Sequence, residues 1–298
     1  IFALGNAAVF VLGGVFMAPM VFLPLYMMRV QGVSETGAGL AMVPMVLGIL
    51  VGNIASGQIA SRLGRYKGAM VVGLTMLTAA LAVMAFTLHD DATRGEVTAK
   101  MVLVGLGLGP SIPLYTVAIQ SSISPQQIGS ATGLATFFRQ MGGTVGVTLA
   151  GAVFAGAFAH GIESHAEVVN ARFTGSSALV AKALGGDEHA AAMARQQAWA
   201  DDEAKALLSN GGPRATVQKT GGDARAEEVA VSQARQKLEA KLEVARRREL
   251  ERPGYTDGVR AVYRVSFIMA LLAFVLTLLL PSVPLRKAAP GSLPAAAG

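Results

Sequence analysis

The chain has no cysteine, a single tryptophan, and only 15% charged residues over 298 positions. The absence of cysteine excludes a disulfide framework, a thiolate metal site and a cysteine nucleophile. The scarcity of charge is equally restrictive, because a soluble globular chain carries about 25% Asp, Glu, Lys and Arg. What is present instead is 52% hydrophobic residues, 35 glycines and a mean hydropathy of +0.49. That mixture fits membrane-spanning helices packed through small residues. The net charge of +6 would suggest nucleic acid for a soluble chain; here it is assigned to basic loops at a membrane surface, and no nucleic-acid partner is expected.

Apolar stretches stand at residues 1–28, 38–60, 68–88, 101–119, 129–158 and 262–280. Each is long enough for a spanning helix, which takes roughly 20 residues, so the fold class is an all-α polytopic membrane protein with six transmembrane helices. The first stretch starts at Ile1 without a basic flank or a cleavage site, so it is no signal peptide, and the chain is expected to begin inside a larger protein. The expected organisation is five spans over 1–158, a hydrophilic helical insertion over 159–255, the last span over 256–285 and a cytoplasmic tail over 286–298.

Charge follows the same partition. Residues 159–255 hold 14 of the 25 basic and 14 of the 19 acidic residues, so the membrane part carries the whole excess. Its five acids are Glu35, Asp90, Asp91, Glu96 and Asp257, each at or beyond a span end. Arg62, Arg65 and Lys67, with Arg286 and Lys287 in the tail, mark the cytoplasmic side by the positive-inside rule. Arg246, Arg247, Arg248, Arg252, Arg260 and Arg264 precede span six on the opposite side and run against that rule, which long loops obey weakly.

Three segments carry motif-like information. The loop after span two reads Gly57-Gln58-Ile59-Ala60-Ser61-Arg62-Leu63-Gly64-Arg65-Tyr66-Lys67, a tight basic turn in which Gly64 permits reversal and the cations meet an anionic leaflet. The run Gly105-Leu106-Gly107-Leu108-Gly109 lacks the G-x-G-x-x-G spacing and the strand-to-helix setting of a dinucleotide loop. Gly105 and Gly109, then Gly142, Gly146 and Ala150, recur every four residues, the spacing that lets membrane helices approach closely. Pro110 and Pro113 are expected to break or kink span four, which is tolerated where a cavity is lined. Polar side chains are concentrated in spans one, two, four and five: Asn6, Asn53, Tyr115, Gln120, Arg139 and Gln140 among them. Because unsatisfied polar groups are costly in lipid, these spans are expected to line a polar interior, with spans three and six facing lipid. Arg139 is either a gating or substrate-site cation or a structural Arg bonding helix-end carbonyls. Phe137 and Phe138, with the methionines, suit a soft pocket for varied aromatic compounds. His160 and His165 are five apart, and neither a metal nor a cofactor is expected.

The turn at 57–67 resembles motif A of the major facilitator superfamily, G-x-x-x-[DE]-R-x-G-[RK]-[RK]. Gly57, Arg62, Gly64 and Arg65 match, Lys67 falls one place late, and Ser61 replaces the acid that forms a cytoplasmic latch in the family. Residues 105–151 are similar to the fourth and fifth helices of the C-terminal half of the fourteen-helix drug:proton antiporters, through Gly105 to Pro110, Gln120, Gly129, Arg139-Gln140, Gly142-Gly143 and Gly146. The resemblance implies proton-driven efflux of small amphipathic, often cationic, compounds by alternating access in the inner (plasma) membrane. Since no carboxylate lies within a span, it also implies a coupling acid in an N-terminal half outside this chain. An importer of a small metabolite, and a non-transporting anchor or receptor on the same fold, are the other readings.

In the insertion, residues 187–208 and 224–252 are rich in helix formers, and Val231, Ala234, Leu238, Leu242 and Ala245 share one face. Arg235–Glu239 and Glu243–Arg247 have i,i+4 spacing. An extracytoplasmic helical hairpin is expected, either shielding the outer vestibule, the favoured role, or docking a periplasmic adaptor.

Overall fold

The computed structural model describes residues 2–63, 66–197, 202–208 and 224–281. Among them every regular element is helical: α1 Phe2–Arg29, α2 Glu35–Ala41, α3 Val43–Leu63, α4 Tyr66–Thr87, α5 Arg94–Leu108, α6 Ser111–Gln120, a short 3-10 turn Pro125–Gln127, α7 Ile128–Leu184, α8 Glu188–Arg195, α9 Asp202–Leu207 and α10 Ala224–Leu279. Six stretches are long and apolar enough to cross a bilayer: Phe2–Arg29, Glu35–Ala60, Lys67–Thr87, Arg94–Gln120, Pro125–Leu184 and Ala224–Leu279. The protein is an all-α polytopic membrane protein.

Two of the spans are interrupted, each for a local reason. Ser34 caps α2, its hydroxyl accepting from the Gly37 amide at 3.2 Å, and Pro44 follows one residue into α3, where a missing amide is tolerated. The span-four break falls at Gly109-Pro110, because Pro110 cannot donate to the turn before it. Its ring lies against Gly73 of α4, where an added Cβ would stand 2.6 Å from the Pro110 side chain. Pro113 sits inside α6 without a second break.

The chain divides into two compact units, residues 1–158 with 255–298, and residues 159–254. The first is held by two seams of small residues. Gly48 and Gly52 of α3 face Gly105 and Gly109 of α5; a Cβ on Gly48 would stand 2.7 Å from the Val102 carbonyl oxygen, and one on Gly52 2.5 Å from that of Leu106. At the second seam, Gly13 and Gly14 of α1 meet Arg139, Gly142 and Gly146 of α7, backbone against backbone. Lipid offers no hydrophobic drive between helices, so contact of this kind is what associates them.

One end of this unit is fixed by polar contacts to the end of α4. The last carbonyls of a helix lack intrahelical partners, and here three successive ones are satisfied from elsewhere. Lys100 Nζ donates to Thr87 O at 2.9 Å, Arg260 Nε donates to Leu88 O, and Tyr26 Oη donates to His89 O at 2.7 Å. At the other end Lys67 Nζ donates to Leu278 O at 3.0 Å.

The second unit has its own apolar core. Ala234, Leu238 and Leu242 of α10, with Val231 and Ala245 beside them, pack on Phe173, Val180 and Leu184 of α7 and on Ala194, Ala204 and Leu208. The expected apolar face on α10 is therefore present. The helix over 159–184 was not anticipated: α7 runs unbroken through it, because its Ala, Val, Glu and Lys residues keep helix propensity after hydropathy has fallen. Arg235 pairs with Glu239 at 2.8 Å; Glu243 pairs with Arg246, and Arg247 with Glu251, each at 2.8 Å. The Gly- and Pro-containing connection at 209–223 and the tail at 286–298 lie outside the described residues.

Candidate functional site

The site is built on the side of α7 that runs from the α6 contact at Thr132 round to the face away from its glycine seam. With Gly142 and Gly146 pressed against α1, the residues at Thr132, Thr136, Gln140, Thr144 and Thr148 fall on one line, four apart, and the last four are exposed. Each threonine hydroxyl donates to the carbonyl one turn back: Thr132 to Ile128 at 2.8 Å, Thr136 to Thr132 at 3.0 Å, Thr144 to Gln140 at 3.1 Å and Thr148 to Thr144 at 2.9 Å. That bond hides the donor inside the helix and leaves the hydroxyl oxygen outward as an acceptor. The result is a polar ladder that runs among exposed apolar neighbours, Leu134, Met141, Val145 and Leu149. Gln120 ties the start of the ladder to α6, its Nε2 donating to Thr132 Oγ1 at 2.9 Å.

Beside the ladder, Arg139 enters a cavity of about 30 Å³ enclosed by α1, the end of α5, α6 and α7. Val9, Leu12 and Phe16 form its apolar wall, and Ser111, Thr116 and Thr136 contribute hydroxyls. The Gly109-Pro110 break places Ser111 and Ile112 at its rim. Among the described residues, the Arg139 guanidinium has neither a hydrogen bond nor an ion pair. Its reading as a structural Arg bonding helix-end carbonyls thus has no contact to rest on, whereas three other helix-end carbonyls do receive donors, from Lys100, Arg260 and Tyr26.

The remaining candidates are dispersed. Tyr115, expected to line a cavity, is buried, its Oη bonded to Thr277 Oγ1 on the inward side of α10, and it is not among the residues lining the Arg139 cavity. Asn6 is also buried, Nδ2 donating to Phe2 O at 2.9 Å while Oδ1 finds no partner among the described residues. Asn53 is half-buried at the α3–α5 seam, its carbonyl accepting from Ser56 Oγ at 2.9 Å. The exposed face of α3 is apolar (Val46, Leu47, Leu50, Val51, Ile54), so span two does not present the polar lining expected of it. Phe137 is exposed and Phe138 half-buried, with ring centroids 5.9 Å apart. Within the motif-like turn, Gly57 and Arg62 are exposed and Lys67 binds Leu278 O. Gly64, Arg65 and the Ser61 side chain lie outside the described residues.

Sequence reasoning missed the polar cluster at the far end. Lys100 is only 9% exposed and pairs with Glu96. Arg260 also reaches Asp257 Oδ1 at 3.2 Å, and Arg264 stands 5.9 Å from the Phe86 ring centroid. Arg29 lies 5.7 Å over the ring of Tyr255, which adjoins Phe158 at 4.8 Å. Of the basic residues that ran against the positive-inside rule, Arg260 engages a carbonyl and an acid, Arg264 an aromatic face, and Arg246 and Arg247 acids. Their i,i+3 relation to Asp257 was the available signal for Arg260; nothing in the sequence joined it to Leu88.

The first unit is thus a membrane bundle with small-residue seams, a broken fourth span and a row of polar residues on its fifth. Residues 3–147 match the family model described as Major Facilitator Superfamily, and over that stretch the chain is similar to members of that superfamily. It is 33% identical over 132 residues to Multidrug transporter protein MdtP of Bacillus subtilis, covering 44% of this chain and 24% of that protein. A Tetracycline resistance determinant of Streptomyces rimosus is 33% identical over 147 residues, 49% of this chain and 42% of the relative. Multidrug resistance protein 3 of Bacillus subtilis is 28% identical over 153 residues, 51% of this chain and 30% of the relative. The chain spans less than half the length of each of these relatives.

Proposed function

We propose that the chain forms part of a proton-driven exporter of small amphipathic compounds, working by alternating access in the inner (plasma) membrane. The observation that carries this reading is the Thr132–Thr148 ladder with Gln140. An exposed polar line on a membrane helix is unfavourable against acyl chains, so it belongs to a face that meets water or another protein surface, as the wall of a transport path does. Relatives named for multidrug and tetracycline resistance support an export role. The glycine seams support alternating access, since backbones in contact without interlocking side chains allow one helix to rock on the next. A proton carrier calls for a carboxylate poised in the membrane; the five acids outside the insertion all stand at span ends, so the coupling acid is assigned to the remainder of the full-length protein.

The test is transport by the full-length protein in everted vesicles, using a lipophilic fluorescent dye. Accumulation should follow an imposed proton gradient and collapse with a protonophore. Flux indifferent to the protonophore defeats proton coupling, and no substrate-dependent flux defeats the transporter reading.

For the insertion, the proposed role is partial shielding of the outer vestibule rather than adaptor docking. Its own core and paired surface charges, such as Arg172 with Glu249, support a self-contained module. Removing 165–252 should alter drug resistance without changing adaptor crosslinking; the reverse pattern would favour docking.

A further inference from the structure

The cavity around Arg139 has a chemistry that the export reading leaves open. Its lining contains one cation and no carboxylate. Thr116 and Thr136 donate to Ile112 O and Thr132 O, at 2.9 and 3.0 Å, so their protons are turned away from the cavity. The guanidinium is its dominant donor, and it has no partner among the described residues.

Depth sharpens the point. Arg139 is eleven residues into α7, about 16 Å along the helix at 1.5 Å per residue, inside the apolar stretch long enough to cross a membrane. An Arg at that depth is costly without a counter-charge. The α1–α7 glycine seam brings its backbone against α1, with Gly13 on the Arg139 carbonyl, so the side chain starts from the helix crossing beside the cavity. The cavity, of about 30 Å³, leaves room for a small polar group beside the guanidinium. A guanidinium binds a carboxylate through two parallel N–H···O bonds. Val9, Leu12 and Phe16 offer an apolar wall for the carbon chain that follows the head group.

We infer that the Arg139 cavity is an anion subsite that takes the carboxylate of an amphipathic organic acid, so that the compounds handled include amphipathic monoanions. This deepens the export reading and rests on it for the identification of the ligand as a transported compound. A carboxylate could also come from an acidic side chain elsewhere in the full-length protein, and the experiment separates the two sources.

The experiment uses the purified full-length protein with three probes sharing one fluorescent aryl-alkyl chain: a terminal carboxylic acid, its primary amide, and a terminal amine. Binding and the melting temperature are measured in detergent and export in vesicles, for wild type, Arg139→Gln and Arg139→Lys, each at normal membrane level. The acid should bind wild type at least tenfold more tightly than the amide, and Arg139→Gln should abolish that preference while leaving the amide unchanged. Arg139→Lys should retain part of it, as a point charge without the fork. Equal binding of acid and amide to wild type overturns the subsite, as does an equal loss of both in Arg139→Gln. A wild type that ignores the acid, together with a melting temperature lowered by Arg139→Gln, assigns the partner to a side chain of the protein and overturns it likewise. Acid-selective binding with no export of any probe would keep the subsite and defeat the export reading; export of amide or amine without acid preference would do the opposite.

Discussion

Gly146 of α7 rests on the backbone of Gly14 of α1, so close that a Cβ at position 146 would collide with the Gly14 main chain. One turn earlier Gly142 meets the Phe10 carbonyl in the same way. Gln140, Thr144 and Thr148 lie on the exposed side of α7 away from this seam, so the seam sets which side of the helix carries them outward.

Substitution at the seam should therefore act through helix separation. Gly142→Ala and Gly146→Ala are expected to destabilise the bundle by about 1–3 kcal/mol, the usual cost of overpacking, despite the gain of up to about 1 kcal/mol in helix propensity. Gly129→Ala and Gly133→Ala, where nothing lies within 4 Å of the added carbon, should be neutral or stabilising. Thermal unfolding followed by size-exclusion chromatography distinguishes these; equal effects at all four positions would refute the seam.

The end of α4 offers a second test. Arg260→Ala removes a charged donor from Leu88 O and strands Asp257, and Lys100→Met does the same to Thr87 O and Glu96. Each should cost about 1–3 kcal/mol, the range for a hydrogen bond from a charged group, and should speed hydrogen exchange over residues 84–92. Protection unchanged in both variants would show that water caps this helix as well as the side chains do.

Tyr115 and Thr277 are predicted to be coupled to each other and not to substrate. Tyr115→Phe, Thr277→Val and the double variant should give an interaction term of about 0.5–1.5 kcal/mol in a thermodynamic cycle, with an unaltered range of exported compounds. A shifted substrate range in Tyr115→Phe would return this residue to the transport path.

How much of this was visible in the sequence depends on range. The break at Pro110, the four-residue spacing of Gly105–Gly109 and Gly142–Gly146, and the Val231–Ala245 face are local patterns, and each corresponds to a feature of the fold. The polar residues of α7 were legible as a set, though not as a line, because only the seam fixes the helix rotation. What stayed hidden depends on partners far along the chain: Thr277 lies 162 positions from Tyr115, and Arg260 lies 172 from Leu88. Sorting spans by their polar content gave α10 a lipid face, and Ile268, Leu271, Leu272, Val275, Leu278 and Leu279 are exposed along it. Ser266 and Thr277 are buried on its inner side, which the sorting missed, since a single hydroxyl inside a bundle leaves no mark on hydropathy. The same method gave α3 a polar role that its apolar outer face does not support.

The ladder itself yields the most direct prediction. The segment contains no cysteine, so each introduced one reports on a single position. In the full-length protein with any other cysteines replaced, Thr136→Cys, Gln140→Cys, Thr144→Cys and Thr148→Cys should react with a membrane-impermeant maleimide. Leu134→Cys and Val145→Cys, exposed but apolar neighbours, should react far more slowly if they meet lipid, because a thiolate forms only where water reaches. Ala135→Cys and Ala150→Cys, on buried positions, should be inert. An exported compound should protect Gln140→Cys, which stands next to Arg139. Labelling that follows depth along the helix, with no four-residue period, would mean that the line of threonines faces acyl chains after all, and the transport path would then have to be placed on another helix.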